Sequence, residues 1–337
     1  MIRLDTPAAL DAALRALPAP DASARAAAAA RQAELTKPRG SLGRLEEIAL
    51  FMAGWQGRAI PKLERGRVAI FAGNHGVAAR GVSAFPPEVT AQMVANFAAG
   101  GAAINALAAA AGLELTVTAL ELDRPTDDIA ETAAMSEAEC GEALMAGVAA
   151  VEPGLDLLVP GEMGIANSTV AAALCAAALG GDAADWVGPG SGVSGAAATA
   201  KIDAVARALT RHRARANTPF EALRRLGGRE LAAMAGAVIA ARHARVPVLL
   251  DGFIATAPLA PLAVAAPTIT DHCLPGHRSA EPGHARLLAG LGLAPLLALD
   301  LRLGEASGGA VAAAVVRAAL TAHERMATFA DAGVSAG

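Results

Sequence analysis

The stretch Leu155-Asp156-Leu157-Leu158-Val159-Pro160-Gly161-Glu162-Met163-Gly164-Ile165-Ala166-Asn167-Ser168-Thr169 decides the fold. A short, mostly apolar run, Leu155–Val159, reads as a strand. Glycines at 161 and 164 then turn the chain. Asn167 and Ser168 can cap a helix, and the alanine-rich run Ser168–Leu179 continues as one. The same order recurs along the chain. Further strands are expected at Val68–Phe71, Leu115–Ala119, Asp185–Val187, Val246–Leu250, Thr268–Asp271 and Leu296–Leu299. Helices are expected at Glu88–Ala111, Ser194–Arg213 and Gly228–Arg242. Strands that alternate with helices predict an α/β fold, a parallel sheet covered on both faces.

The ends differ. Pro7–Leu17, Ala22–Leu35 and Leu42–Trp55 read as helices without strands, as does Gly309–Ala330, and the two ends can pack together as a small helical domain. Tyrosine is absent and aromatics are 3%, which removes the stacking platforms that single-stranded nucleic acid uses. A net charge of −4 leaves no basic field for a polyanion. Three cysteines, Cys140, Cys175 and Cys273, are too few and too odd in number for a disulfide framework and fit a reducing cytoplasm. Asp5 and Asp11 interrupt any signal-like apolar stretch, and no membrane span is expected.

In open parallel sheets, ligands bind where strands end and helices begin. Five segments meet that description. In Gly73-Asn74-His75-Gly76, His75 reads either as a substrate or acid–base group or as a loop histidine bonded to backbone. In Gly161–Thr169, Glu162 sits at a strand's carboxyl end, and the amides that start the next helix suit an anion. The glycine turn Gly188-Pro189-Gly190-Ser191-Gly192 offers successive N–H groups to a phosphate, with Lys201 two turns on. Its bland reading is a tight turn. Gly190, Gly192 and Gly195 also carry dinucleotide-fingerprint spacing, but the acidic residue expected about twenty positions later is missing.

The fourth segment, Asp271–His284, gathers His272, Cys273, His277 and His284 at a spacing that matches no common zinc pattern. Polar contacts within the protein or across an interface are the stronger reading, and no metal or cofactor is expected. In the fifth, Glu305 stands in a glycine loop ahead of a helix, where it can take a ring proton from a heterocycle or simply favour the helix dipole. The acidic pair Asp127-Asp128 follows no apolar strand, and no P-loop occurs.

Taken in order, these segments resemble the nicotinate-nucleotide–dimethylbenzimidazole phosphoribosyltransferase family. The resemblance runs from Lys37-Pro38-Arg39-Gly40-Ser41-Leu42-Gly43-Arg44-Leu45-Glu46, through Gly161–Asn167 and Asp251-Gly252-Phe253, to Leu303-Gly304-Glu305-Ala306-Ser307-Gly308-Gly309. It implies a Rossmann-like parallel sheet flanked by helices over residues 61–308, a small helical domain built from 1–60 and 309–337, and a homodimer. It further implies nicotinate mononucleotide as donor, a benzimidazole-type base as acceptor, and Glu305 as general base facing Glu162. Gly164, Gly190, Ser191, Gly192 and Lys201 would hold the donor's phosphate or ribose. Phe85, Met93, Met163 and Leu303 would line the base pocket, where some relatives carry Ser and Gln at the first two positions. Relatives also carry Asp where Asn74 stands. Two rival readings remain beside this one: a non-catalytic sensor with the same pocket but no base, and a nicotinamide-cofactor oxidoreductase resting on Gly190–Gly195.

Overall fold

The computed structural model describes residues 2–190 and 192–335. Three helices come first, α1 (Pro7–Arg15), α2 (Ala22–Glu34) and α3 (Arg44–Gln56), then β1 (Gly66–Ala72). Helices α4 (Glu88–Ala98) and α5 (Ala103–Ala111) lead to β2 (Glu114–Ala119), and α6 (Glu137–Ala149) to β3 (Leu157–Met163). Next come α7 (Asn167–Leu179), α8 (Gly195–His212), α9 (Pro219–Leu226) and α10 (Arg229–His243) before β4 (Val248–Leu250). Two short helices, α11 (Phe253–Thr256) and α12 (Leu259–Ala265), precede β5 (Cys273–Pro275). The chain ends with α13 (Pro282–Gly290), α14 (Ser307–Arg325) and α15 (Phe329–Ala332).

The strands form one parallel sheet in the order β2-β1-β3-β4-β5. Chain order reverses at β1, which has β2 on one side and β3 on the other, so a ligand crevice is expected at the carboxyl ends of β1 and β3. Those ends are level, because Phe71 pairs with Glu162 and Ala72 with Met163.

Alternation along the strands divides the core. Ala69, Phe71, Leu158, Val248 and Leu250 point into the cluster with α6, α7, α9 and α10. Val68, Ile70, Leu157, Val159 and Leu249 point into the cluster with α3, α5 and α14. Helix α10 is buried over almost its whole length. Its partner α6 lies so close that a Cβ on Gly147 would sit 1.8 Å from the Ala233 carbonyl oxygen.

The terminal segments meet at the far end of α14. Arg31 donates to the carbonyls of His323, Glu324 and Met326, which closes that helix end. Gln32 bonds His323, and Leu35 forms an antiparallel bridge with Thr328. Helix α1 lies elsewhere: Leu10, Ala13 and Leu14 belong to the core on the sheet's opposite face.

Three expected strands are absent. Asp185–Val187 falls at a 3-10 turn, where Trp186 is buried and its indole N–H donates to the Gly180 carbonyl. Thr268–Asp271 is likewise 3-10, started by Pro267, and the strand begins two residues later at Cys273. Leu296–Leu299 runs beside β5 but makes a single bridge, Leu297 with His277. Glu88–Ala111, apolar and long enough by composition to cross a membrane, is two helices. The break is built: Gly100 is left-handed (φ +79°), and the Asn105 side chain accepts from Ala102 N–H and donates to the Phe97 carbonyl.

The α6–α10 crossing supplies a test of packing. Gly147→Val should cost about 3 kcal/mol or more in chemical denaturation, as overfilled cores do. Ala109→Val, on the exposed side of α5, should stay within about 1 kcal/mol.

Candidate active site

A cleft of about 750 Å³ opens at the carboxyl ends of the strands. Each wall follows a strand. After β1 come Val82, Ser83 and Phe85, with Val89 and Met93 from α4. The end of β3 gives Glu162 to Ser168, the end of β4 gives Asp251 to Ala255, and the end of β5 gives His277, Ser279 and Glu281. The loop Asp300–Glu305 closes the mouth. One region is apolar, with Phe85, Val82, Val89, Met93, Met163 and Leu303. Phe85 and Leu303 are more than half exposed, at the open mouth of the cleft.

Glu305 is held by an unusual backbone. Gly304, Glu305 and Ala306 are all left-handed, at φ +83°, +58° and +60°. For the two non-glycine residues this conformation costs about 1–2 kcal/mol each. The surroundings enforce it. Ala306 presses on β3, where a Cβ on Gly161 would lie 2.7 Å from the Ala306 Cβ. Helix α14 starts immediately afterwards with no side-chain cap of its own, and Asp251 supplies one by accepting the Gly309 N–H at 3.0 Å. His277 Nε2 lies 3.4 Å from the same Asp251 oxygen. Gly304 sits directly over Glu162, since a Cβ there would meet Glu162 Oε1 at 2.3 Å.

The carboxylates are forced toward their neutral forms. Burial, helped by the charge of Asp251, pushes the Glu305 carboxyl up to about 7. Glu162 is raised well above the ordinary carboxyl range, first by burial and then by Asp251, Glu230 and Glu305, although the Asn167 side-chain amide hydrogen-bonds it. Glu305 thus gains and loses its proton near neutral pH, while burial and its acidic neighbours favour the neutral form of Glu162.

At the other end, α7 begins from a left-handed Ala166, so its first turn faces the cleft without a side-chain cap. Gly190 lines the cleft, but its N–H donates to Glu281 Oε1 at 2.7 Å, so a carboxylate already occupies that donor of the glycine turn. Lys201 is buried and stands behind the wall. Its ammonium donates to Ser168 Oγ and the Gly188 carbonyl, both at 2.9 Å, and burial lowers its pKa to about 8. Gly192 is exposed and outside the lining, and Ser191 lies outside the described residues.

Of the residues expected from the sequence, Glu305, Glu162, Gly164, Gly190, Phe85, Met93, Met163 and Leu303 share the cleft. Lys201 reaches it only through Ser168 and the Gly188–Gly190 turn. Sequence reasoning gave no site role to Asp251, Ser279, Glu281 or Arg302, all of which line it. Asp251 carried a findable signal, since it directly follows β4. The histidines of the 271–284 segment diverge. His272 bonds the Val238 carbonyl in the core, His277 approaches Asp251, and His284 accepts the Ser279 N–H. The turn at Gly190–Gly195 has no strand before it, which removes the structural context of a dinucleotide fingerprint.

Burial of Glu305 predicts a pH-dependent stability cost. Its folded pKa lies above the unfolded value, so the cost is absent below about pH 4.5, grows as pH rises, and is complete above about pH 7. Glu305→Gln should therefore raise Tm by about 2–4 °C at pH 8. The gain should vanish at pH 4.5. An equal gain at both pH values would contradict the buried-acid account.

The phosphoribosyltransferase family DBI_PRT matches residues 17–334. The nicotinate-nucleotide–dimethylbenzimidazole phosphoribosyltransferase of Novosphingobium aromaticivorans is 65% identical over the full length of both chains. The protein of that name from Rhizobium etli is 58% identical over 96% of this chain and 95% of its own. Among solved structures, CobT from Thermus thermophilus superposes with a TM-score of 0.87 at 44% identity, covering 94% of this chain and all of that one. Match, identity and superposition run the length of the chain and include the cleft, so this chain belongs to the nicotinate-nucleotide–dimethylbenzimidazole phosphoribosyltransferase family.

Proposed function

We propose that the chain transfers the phosphoribosyl group of nicotinate mononucleotide to 5,6-dimethylbenzimidazole or a related base, giving α-ribazole 5′-phosphate and nicotinate for the nucleotide loop of cobalamin. The observation that carries this is Glu305: a carboxyl raised by burial to about 7 in the same cleft of about 750 Å³ as the apolar side chains Phe85, Met93, Met163 and Leu303. A base serves best when its pKa is near the working pH.

One ring nitrogen of the benzimidazole attacks C1′ of the ribose while Glu305 takes the proton from the other. The new N–C1′ bond forms as the bond to the pyridinium nitrogen breaks, and its electron pair neutralises the departing nicotinate ring. Attack opposite the leaving group inverts C1′ from β to α. Phe85, Met93, Met163 and Leu303 grip the acceptor by contact. The donor's phosphate and ribose lie toward Gly164, Gly190 and the first turn of α7, where helix-start amides favour an anion. Lys201 adds its charge from behind Ser168. Glu162, under Gly304 and shifted by burial toward its neutral form, holds the floor between the two ends. Gly190–Gly192 stay in the donor reading on the condition that Glu281 yields the Gly190 amide. The same reading has the chain working in the cytoplasm as a homodimer on small molecules, not on nucleic acid or at a membrane, in keeping with its net charge of −4.

The decisive assay mixes protein, nicotinate mononucleotide and dimethylbenzimidazole and follows nicotinate by chromatography. Base-dependent release, together with an α-ribazole phosphate peak, is expected. Glu305→Gln should lower kcat by about 10²–10⁴-fold. With wild-type protein, kcat/KM should fall as pH drops below about 7, as the base becomes protonated. Folded protein that binds both compounds without releasing nicotinate would instead mark a sensor.

A further inference from the structure

The segment Gly73-Asn74-His75 has no part in the reaction above, yet it forms a fully buried polar pair beneath it. His75 Nε2 and Glu230 Oε1 are 2.7 Å apart, and neither side chain is exposed. His75 follows β1, and Glu230 is the second residue of α10. Three glycines from three different elements pack against the pair. A Cβ on Gly73 would lie 2.8 Å from Glu230 Oε2, and one on Gly228 would lie 2.3 Å from His75 Cε1. One on Gly164, at the end of β3, would lie 3.2 Å from both Glu230 Oε1 and His75 Nε2, and 2.6 Å from the Gly73 carbonyl oxygen. The main chain of β1, β3 and α10 thus rests directly on these two side chains.

Such a pair is an unfavourable way to fill a core, because apolar residues of the same volume serve stability as well or better. It also leaves His75 Nδ1 and Glu230 Oε2 without hydrogen-bond partners, a further cost. Stability alone is a poor reason for it. Of the three glycines, only Gly164 lines the cleft. The pair touches neither Glu305 nor the apolar slot.

We propose that His75 and Glu230 are a positioning pair for the Gly164 peptide, and through it for the donor end of the cleft. This rests on the reading that the donor's phosphate or ribose binds at Gly164. The pair spans from the end of β1 to the start of α10 and passes under β3, so it fixes how far the β3–α7 turn sits from the sheet. Disturbing it moves the donor site and leaves the acceptor site and the base where they are.

The test is a split in kinetic constants. Glu230→Gln and His75→Gln keep the bulk of the pair and alter its charge and hydrogen bonding. In each, the KM for nicotinate mononucleotide should rise about tenfold. The KM for dimethylbenzimidazole and the apparent pKa near 7 should hold, with Tm within about 3 °C of wild type. A donor KM within twofold of wild type in folded variants overturns the proposal. So does a loss that falls equally on both substrates and tracks a lowered Tm, or failure of both variants to fold, since each assigns the pair to stability alone. If wild-type protein releases no nicotinate, the transfer reading itself has failed; if it does and only the split is missing, the positioning role alone has failed.

Discussion

Asp251 accepts the Gly309 N–H in the first turn of α14, and on that contact depends the placement of Glu305. Helix α14 follows a left-handed turn that gives it no cap, so its start must be fixed from elsewhere. Asp251 comes directly off β4, a strand buried on both faces, and is itself buried. The rigid sheet therefore sets the position of a carboxylate, the carboxylate sets the start of a helix, and the helix start sets the three-residue turn that presents Glu305. Gly161 in β3 completes the arrangement by letting that turn approach the strand. Strain that no isolated loop would hold persists here because two strands over-determine it.

The same closeness creates the chemistry. Glu162, Asp251 and Glu305 come from three segments remote in sequence and meet in a region with little water. Burial and the neighbouring acidic charges favour the neutral forms of Glu162 and Glu305. This set of acidic residues thereby provides, in Glu305, a group that exchanges protons near neutrality. The sheet order makes this possible, since β3 and β4 are neighbours whose carboxyl ends open into one crevice.

Much of this was legible in the sequence, for identifiable reasons. Val68–Phe71 and Leu155–Val159 are mostly apolar runs bounded by glycine; the first lies within β1 and the second overlaps the first three residues of β3, because a parallel sheet buries both faces of a strand. Glu162 and Glu305 were legible because each adjoins a glycine just ahead of a helix, Glu162 at the end of β3 and Glu305 in the turn before α14. Where an apolar run reaches the core without pairing, the pattern misled: Trp186 and Val187 look like strand residues but pack from a 3-10 turn. The reach of long side chains was also invisible. Lys201 was placed against the donor, but its ammonium is engaged behind the wall. Glu281 lay in the 271–284 segment expected to make polar contacts, but that its partner is the Gly190 amide, 91 residues away, could not be read. Nothing in one dimension showed that Gly73, Gly164 and Gly228 converge on one buried pair.

Helix α14 has a second end. Its 19 residues span about 28 Å, from the turn that carries Glu305 to carbonyls gripped by Arg31 of α2. It is a lever with Glu305 at one tip and the N-terminal segment at the other. A rotation of about 5° about the far tip carries the near tip by roughly 2 Å, a large fraction of a hydrogen-bond length. The grip at Arg31, far from any substrate, is thus part of the tolerance to which the active site is built.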